Sequence, residues 1–226
     1  MAKDNKEKFE QQRYLNNAGI NKNQNIKQEV DRYSKYNEEP KYKQDPYYKE
    51  LEEIVKKIFN HINQEGFYFN EKENFILAEN MEHFAKYLNC EFLNNQKKNG
   101  ITSSSLRNIY DHYLSIKRNY DIKITENYNN LDYSNNVNLE KIKRESFKEI
   151  KTQLIFAKAK VNYLVERKIK DLSSNEEEKI ALKEVYETLR KFIFDSTKKI
   201  LEEDENSFIQ FEAFLNIFET LVAFMK

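Results

Sequence analysis

The chain has 226 residues, enough for one sizeable hydrophobic core and too few for two independent ones. Charged residues make up 34% and hydrophobic residues 39%, with three Gly and two Pro, a balance that permits long helices and deprives a multi-stranded fold of its turn residues. The 38 Lys and Arg match 38 Asp and Glu, so net charge does not announce nucleic acid; one cysteine excludes an intramolecular disulfide and a thiolate-based zinc site.

Residues 1–45 are rich in Lys, Asn, Gln, Glu and Tyr and poor in aliphatics, which predicts a disordered polar N-terminal extension. Its tyrosines, Tyr14, Tyr33, Tyr36 and Tyr42, are expected to be solvated. The start of the chain is too polar for a secretory leader, and no apolar run reaches the roughly 20 residues of a membrane span, so a cytoplasmic location without membrane contact is expected.

From residue 46 the spacing predicts an all-α, single compact bundle of about six helices over 46–226. Asp45 and Pro46 are suited to open helix one, whose apolar residues Leu51, Ile54, Val55, Ile58, Phe59 and Ile62 recur at three-four spacing up to Gly66. Helix two is expected over about 71–94, on Phe75, Ala78, Met81, Ala85, Leu88 and Phe92, and is closed by Gly100. Cys90, between Leu88 and Phe92, reads as a packing residue. Helix three opens at Thr102 or Ser103, carries Leu106, Ile109, Tyr110 and Tyr113, and is expected to fade near Tyr120 into a polar Asn- and Tyr-rich loop over 121–138.

Helix four, about 139–170, is the longest, with Ile142, Phe147, Ile150, Leu154, Ala157, Val161, Leu164 and Val165 in one stripe. Ser173 or Ser174 precedes three glutamates at the start of helix five, whose apolar face is Leu182, Val185, Leu189, Phe192 and Ile193. Helix six, with Phe208, Phe211, Phe214, Phe218, Leu221 and Phe224, is apolar nearly all round, which places it at the centre of the bundle or under another subunit.

Catalytic signatures are thin. There is no Gly-rich phosphate loop, no serine elbow and no Cys-His pattern, and His61, His83 and His112 fall on three different predicted helices. Glu79 and His83 are four apart, but the Glu-x-x-His spacing of di-iron bundles is missing. The expectation is a protein that is not an enzyme and holds no metal or other cofactor.

Charge distribution is more informative. Residues 141–170 carry ten basic and three acidic side chains, whereas 201–226 carry six acidic ones and a single lysine. At ~100° per residue, Lys141, Arg144, Lys148, Lys151 and Lys158 fall within about a third of the circumference of helix four and span about 25 Å. Such a row suits a phosphate backbone, because each contact releases condensed counterion. On helix three, Arg107 and Arg118 are three turns apart and share a face near Ser104, a shorter second line. Lysines facing an acidic protein partner are the competing reading.

Three segments resemble the small subunit of type III-A CRISPR-Cas effector complexes, the Csm complexes. Residues 101–108 (Ile101, Thr102, Ser103, Ser104, Ser105, Leu106, Arg107, Asn108) are similar to that family's Thr-Thr-Ser-Gln-Ile-Arg helix start, with Thr102, Ser104 and Arg107 matching. Residues 151–160, from Lys151 through Phe156, Ala157 and Lys158 to Lys160, are similar to its Lys-rich Leu-Ala-Tyr-Ala-Ala-Gly-Arg segment, with Phe156 for the tyrosine, Ala159 for the glycine and Lys160 for the arginine. The ending, Phe218 to Lys226, looks like Phe-Glu-Ala-Leu-Val-Ala-Tyr-His-Lys, with Met225 in place of histidine. The resemblance covers about 48–226 and leaves out the polar arm and the 121–138 loop.

It implies a non-catalytic helical bundle present in several copies. These would stack beside backbone and polymerase-like subunits and face guide RNA and target RNA, with Ser104, Arg107, Lys160 and the basic stripe tracking phosphates in antiviral defence. The alternative is a helical protein-protein adaptor that touches no RNA and uses the aromatics of helix six as its interface.

Overall fold

The computed structural model describes residues 39–67, 71–93, 100–130, 138–172, 176–202 and 206–225, the side chains of 71–76 excepted. The predicted disorder of 1–38, its tyrosines Tyr14, Tyr33 and Tyr36, and the capping serines Ser173 and Ser174 lie outside the described residues. The protein is all-α. A 3-10 turn, Lys41–Gln44, is followed among the described residues by α1 (Pro46–Gln64), α2 (Glu71–Leu88), α3 (Ser103–Asn129), α4 (Leu139–Lys170), α5 (Glu176–Glu202) and α6 (Ser207–Phe224), with no strand.

α6 is central, packed against α2, α3, α4 and α5, while α3 lies along α4, α4 along α5, and α1 covers α2 and α5. Phe208, Phe211, Phe214 and Phe218 are buried, and Phe214 stacks edge-on with Phe67 and Tyr113 at ring separations of 5.4 and 5.2 Å. This corrects the adaptor reading in one respect: of the helix-six aromatics it relied on, only Phe224 is exposed, at 40%. α6 is also long and apolar enough by composition to cross a membrane, with a mean hydropathy of 1.3, and 61% of it is buried in the bundle, so core packing accounts for its apolarity.

Local signals end most helices where sequence chemistry says they should. Asp45 accepts a hydrogen bond from Tyr47 N at 2.8 Å, and Thr102 Oγ1 accepts one from Ser105 N at 3.2 Å, so each caps its helix. After α1, Gly66 adopts φ +74°, and a Cβ there would meet Gln210 Oε1 at 2.7 Å. Gln210, buried on α6, accepts the N–H of Phe67, which ties this turn to the central helix.

Three boundaries differ from expectation. α2 stops at Leu88 rather than near Asn94; Cys90 takes φ 56° in the turn that follows, and its thiol, pushed by burial up to about 12, is not a thiolate nucleophile. α3 does not fade at Tyr120 but runs to Asn129, so 121–129 of the expected polar loop are helical. The extension is held by α4: Asn127 Nδ2 donates to Ser146 Oγ at 2.9 Å, and Lys123 pairs with Glu149 at 3.5 Å. The last residues assigned to the N-terminal extension are ordered as well. In the 3-10 turn, Tyr42 is buried in a cluster with Tyr48, Tyr87 and Phe92, and the hydroxyls of the three tyrosines donate to the carboxylate of Glu184.

Candidate nucleic-acid interface

α3 and α4 run antiparallel, and their register is fixed by Asn119 donating to Gln153 at 2.8 Å and by the Asn127–Ser146 bond. In that register Arg107 lies level with about Val165, and Arg118 with about Leu154. In the same register the first segment singled out in the sequence, 101–108, lies level with about 165–172, past the end of the second, 151–160, and the two approach only across a groove that Asn108 and Lys160 both line. This groove, of about 480 Å³, has Ser105, Asn108 and His112 on one wall and Lys160 on the other, over a floor that includes Val165 and Leu189. Burial and the nearby Lys160 ammonium both hold the His112 imidazole below its ordinary value, which favours its neutral form in the groove.

The cations identified in the sequence do not all do the same thing. Arg107, Arg118, Arg144, Lys148 and Lys160 are exposed, and none of them makes an ion pair among the described residues; Ser104, one turn before Arg107, is exposed too. Lys141 is exposed and lies 3.9 Å from Glu145, at the outer limit of an ion pair and with little energetic weight at such a surface. Lys151 is half-buried and interacts within the fold. Lys158 is half-buried as well, its ammonium 4.3 Å from the centre of the Phe194 ring on α5. The stripe therefore divides. Its N-terminal members point to solvent, while Lys151 and Lys158 belong to the flank of α4 that turns toward α5.

Lys160 lies on the opposite flank, toward α3, where it lines the groove, whereas Arg107 and Arg118 are exposed on the outer side of α3 and do not line it. The cations accessible to a polyanion are thus spread over two helices: Arg107 and Arg118 on the outer side of α3, Lys160 on the α3 side of α4, and Lys148 and Arg144 toward the start of α4, with Arg144 in line with Lys151 and Lys158. The carboxylates closest along α4 are engaged: Glu149 with Lys123 and Asn127, and Glu166 with Arg190 at 2.8 Å. Asp111, exposed on α3 between Arg107 and Arg118, is the carboxylate that remains on this face, and the surrounding cations leave a field available for steering an anionic strand.

Sequence reasoning missed what lies between the two flanks. Ile155, Phe156 and Tyr163 are 52%, 68% and 64% exposed on the outward side of α4. The signal was present: Thr152, Ile155, Phe156, Ala159 and Tyr163 follow three-four spacing, a second stripe about opposite the core stripe. It was hidden because the larger apolar set, from Ile142 to Val165, already accounts for the buried face.

Elsewhere, Glu79 is exposed, and His83 is half-buried with its Nδ1 buried and without a hydrogen-bond partner. Among the described residues, His, Cys, Asp and Glu side chains do not gather in groups of three that could hold a metal ion. Comparison with protein-family models, with curated proteins and with solved structures finds no match to this chain.

Proposed function

We propose that this chain is a non-catalytic, RNA-binding subunit that holds the sugar-phosphate backbone of RNA without reading its sequence. The observation that carries the reading is the run of exposed cations, without carboxylate partners among the described residues, across α3 and α4: Arg107, Arg118, Arg144, Lys148 and Lys160. Exposed cations on rigid helices contact phosphates, and phosphate contacts fix position and register while carrying no sequence information. The resemblance of three segments to the small subunit of type III-A CRISPR effector complexes gives the reading its setting. There the strand would be guide RNA or target RNA, base pairing would supply specificity, and neighbouring copies and backbone and polymerase-like subunits would pack on the remaining surface.

Counterion release provides the test. The affinity of the full chain for a single-stranded RNA, measured by fluorescence anisotropy between about 50 and 300 mM salt, is expected to fall with a log-log slope of about −0.7 for each phosphate neutralised. It is also expected to be alike for unrelated sequences of equal length. Binding that is flat with salt, or that depends strongly on sequence, would overturn the reading.

A further inference from the structure

We infer that Phe156 and Tyr163 form a stacking platform for the bases of a single-stranded RNA whose phosphates lie along Arg107, Arg118 and Lys160, an inference that rests on the RNA-binding reading above. Phe156 and Tyr163 are the two most exposed large hydrophobic side chains among the described residues, at 68% and 64%. Single exposed hydrophobics are ordinary on protein surfaces. Here they are arranged, because Thr152, Ile155, Phe156, Ala159 and Tyr163 share one side of α4. Among the described residues no other ring stacks on either aromatic, and about two thirds of each side chain is exposed.

The rim identifies the occupant. In the α3–α4 register Arg107 lies just beyond the level of Tyr163 and Arg118 just beyond that of Phe156, Lys160 stands between the two rings on the α3 side, and one carboxylate, the exposed Asp111, lies among these cations. Lys148 and Arg167 are exposed at the two ends of the apolar stretch. Flat apolar surfaces bordered by cations are what single-stranded nucleic acids bind to, with bases on rings and phosphates on the charged border.

The spacing also fits. Phe156 and Tyr163 are seven residues apart, about 10 Å at ~1.5 Å per residue. That corresponds to about three base rises of ~3.4 Å, so each ring takes a base, with intervening nucleotides bridged past Lys160. A second copy of the chain is a poorer occupant. A two-fold dimer through this face would bring the cations of one copy onto the same cation-bordered face of the other.

The test compares the full chain with its Phe156→Ala/Tyr163→Ala variant, using a 12-nucleotide oligoadenylate and an abasic ribose-phosphate strand of the same length. Both positions are exposed, so unchanged helicity and melting are expected of the variant. The wild-type chain should prefer oligoadenylate. The variant should lose at least about fivefold in affinity per ring on that strand, while keeping its affinity for the abasic strand and its salt slope. If the variant binds oligoadenylate as the wild type does, the platform is wrong although RNA binding stands. Should the wild type bind neither strand, the RNA-binding reading fails and takes the platform with it. A wild-type dimer that the variant abolishes, with RNA affinity unchanged, would overturn the platform by assigning the face to self-association.

Discussion

Replacing Arg107, Lys148 and Lys160 together by alanine is expected to weaken single-stranded RNA binding by on the order of 100-fold at low salt, and to reduce the log-log salt slope by about 2. The first figure follows from about 1 kcal/mol for each exposed cation-phosphate contact, and the second from the loss of three counterion-releasing contacts at about 0.7 each. All three side chains are exposed, and none holds an ion pair among the described residues, so melting should stay within about 0.5 kcal/mol of the wild type. The matched control is Lys158→Ala. Lys158 lies over the Phe194 ring on the flank facing α5, so its loss should have little effect on RNA affinity and a small effect on stability. Equal losses from Lys158→Ala and from any one of the three would mean that the division of the α4 cations into two flanks is wrong.

Glu184→Gln is expected to cost about 2 kcal/mol at neutral pH, which for a bundle of this size lowers the melting temperature by roughly 4–8 °C. Its carboxylate accepts from Tyr42 at 3.0 Å, from Tyr87 at 2.9 Å and from Tyr48, and pairs with Lys43 at 3.0 Å, so one side chain of α5 anchors the 3-10 turn, α1 and α2 at once. Burial works against the charge, but hydrogen bonds from Tyr48, Lys43 and Tyr87 prevail and hold the carboxyl below its ordinary value of about 4.5.

A depressed carboxyl stabilises the fold above its unfolded value, and that stabilisation is lost as pH falls through the folded value. The gap in melting temperature between wild type and Glu184→Gln should therefore be full above about pH 5 and should narrow as the solution is taken below pH 4. A gap that widens in acid would show that the carboxylate is not the stabilised form. The same anchor explains why the last residues of a segment with the composition of a disordered tail are ordered: Tyr42 supplies the ring that completes an aromatic cluster and a hydroxyl that donates to the half-buried Glu184 carboxylate.

The helical elements were legible because their cores repeat at three-four spacing and their ends carry the right residues, as Thr102 and Asp45 do. The second half of α3 was not. Residues 121–129 carry Asn, Lys and Thr with only two isoleucines, and the helix persists there through tertiary bonds to Ser146 and Glu149, partners that local propensity does not contain. At the candidate site, the exposure of Arg107, Arg118, Arg144 and Lys148 was readable from helical angle. The withdrawal of Lys158 was not, because it depends on a ring 36 residues away on another helix. Phe156 and Tyr163 were overlooked for a different reason: an outward apolar stripe looks like ordinary helix composition until coordinates leave it uncovered.

An RNA strand bound on the outer surface of α3 and α4 would be within reach of photo-crosslinking. With 4-thiouridine-substituted single-stranded RNA and the full chain, mass spectrometry is expected to place the adducts on peptides covering 103–118 of α3 and 148–168 of α4. Adducts confined to α1, α2 or α5, with none on those two stretches, would contradict RNA binding on this surface.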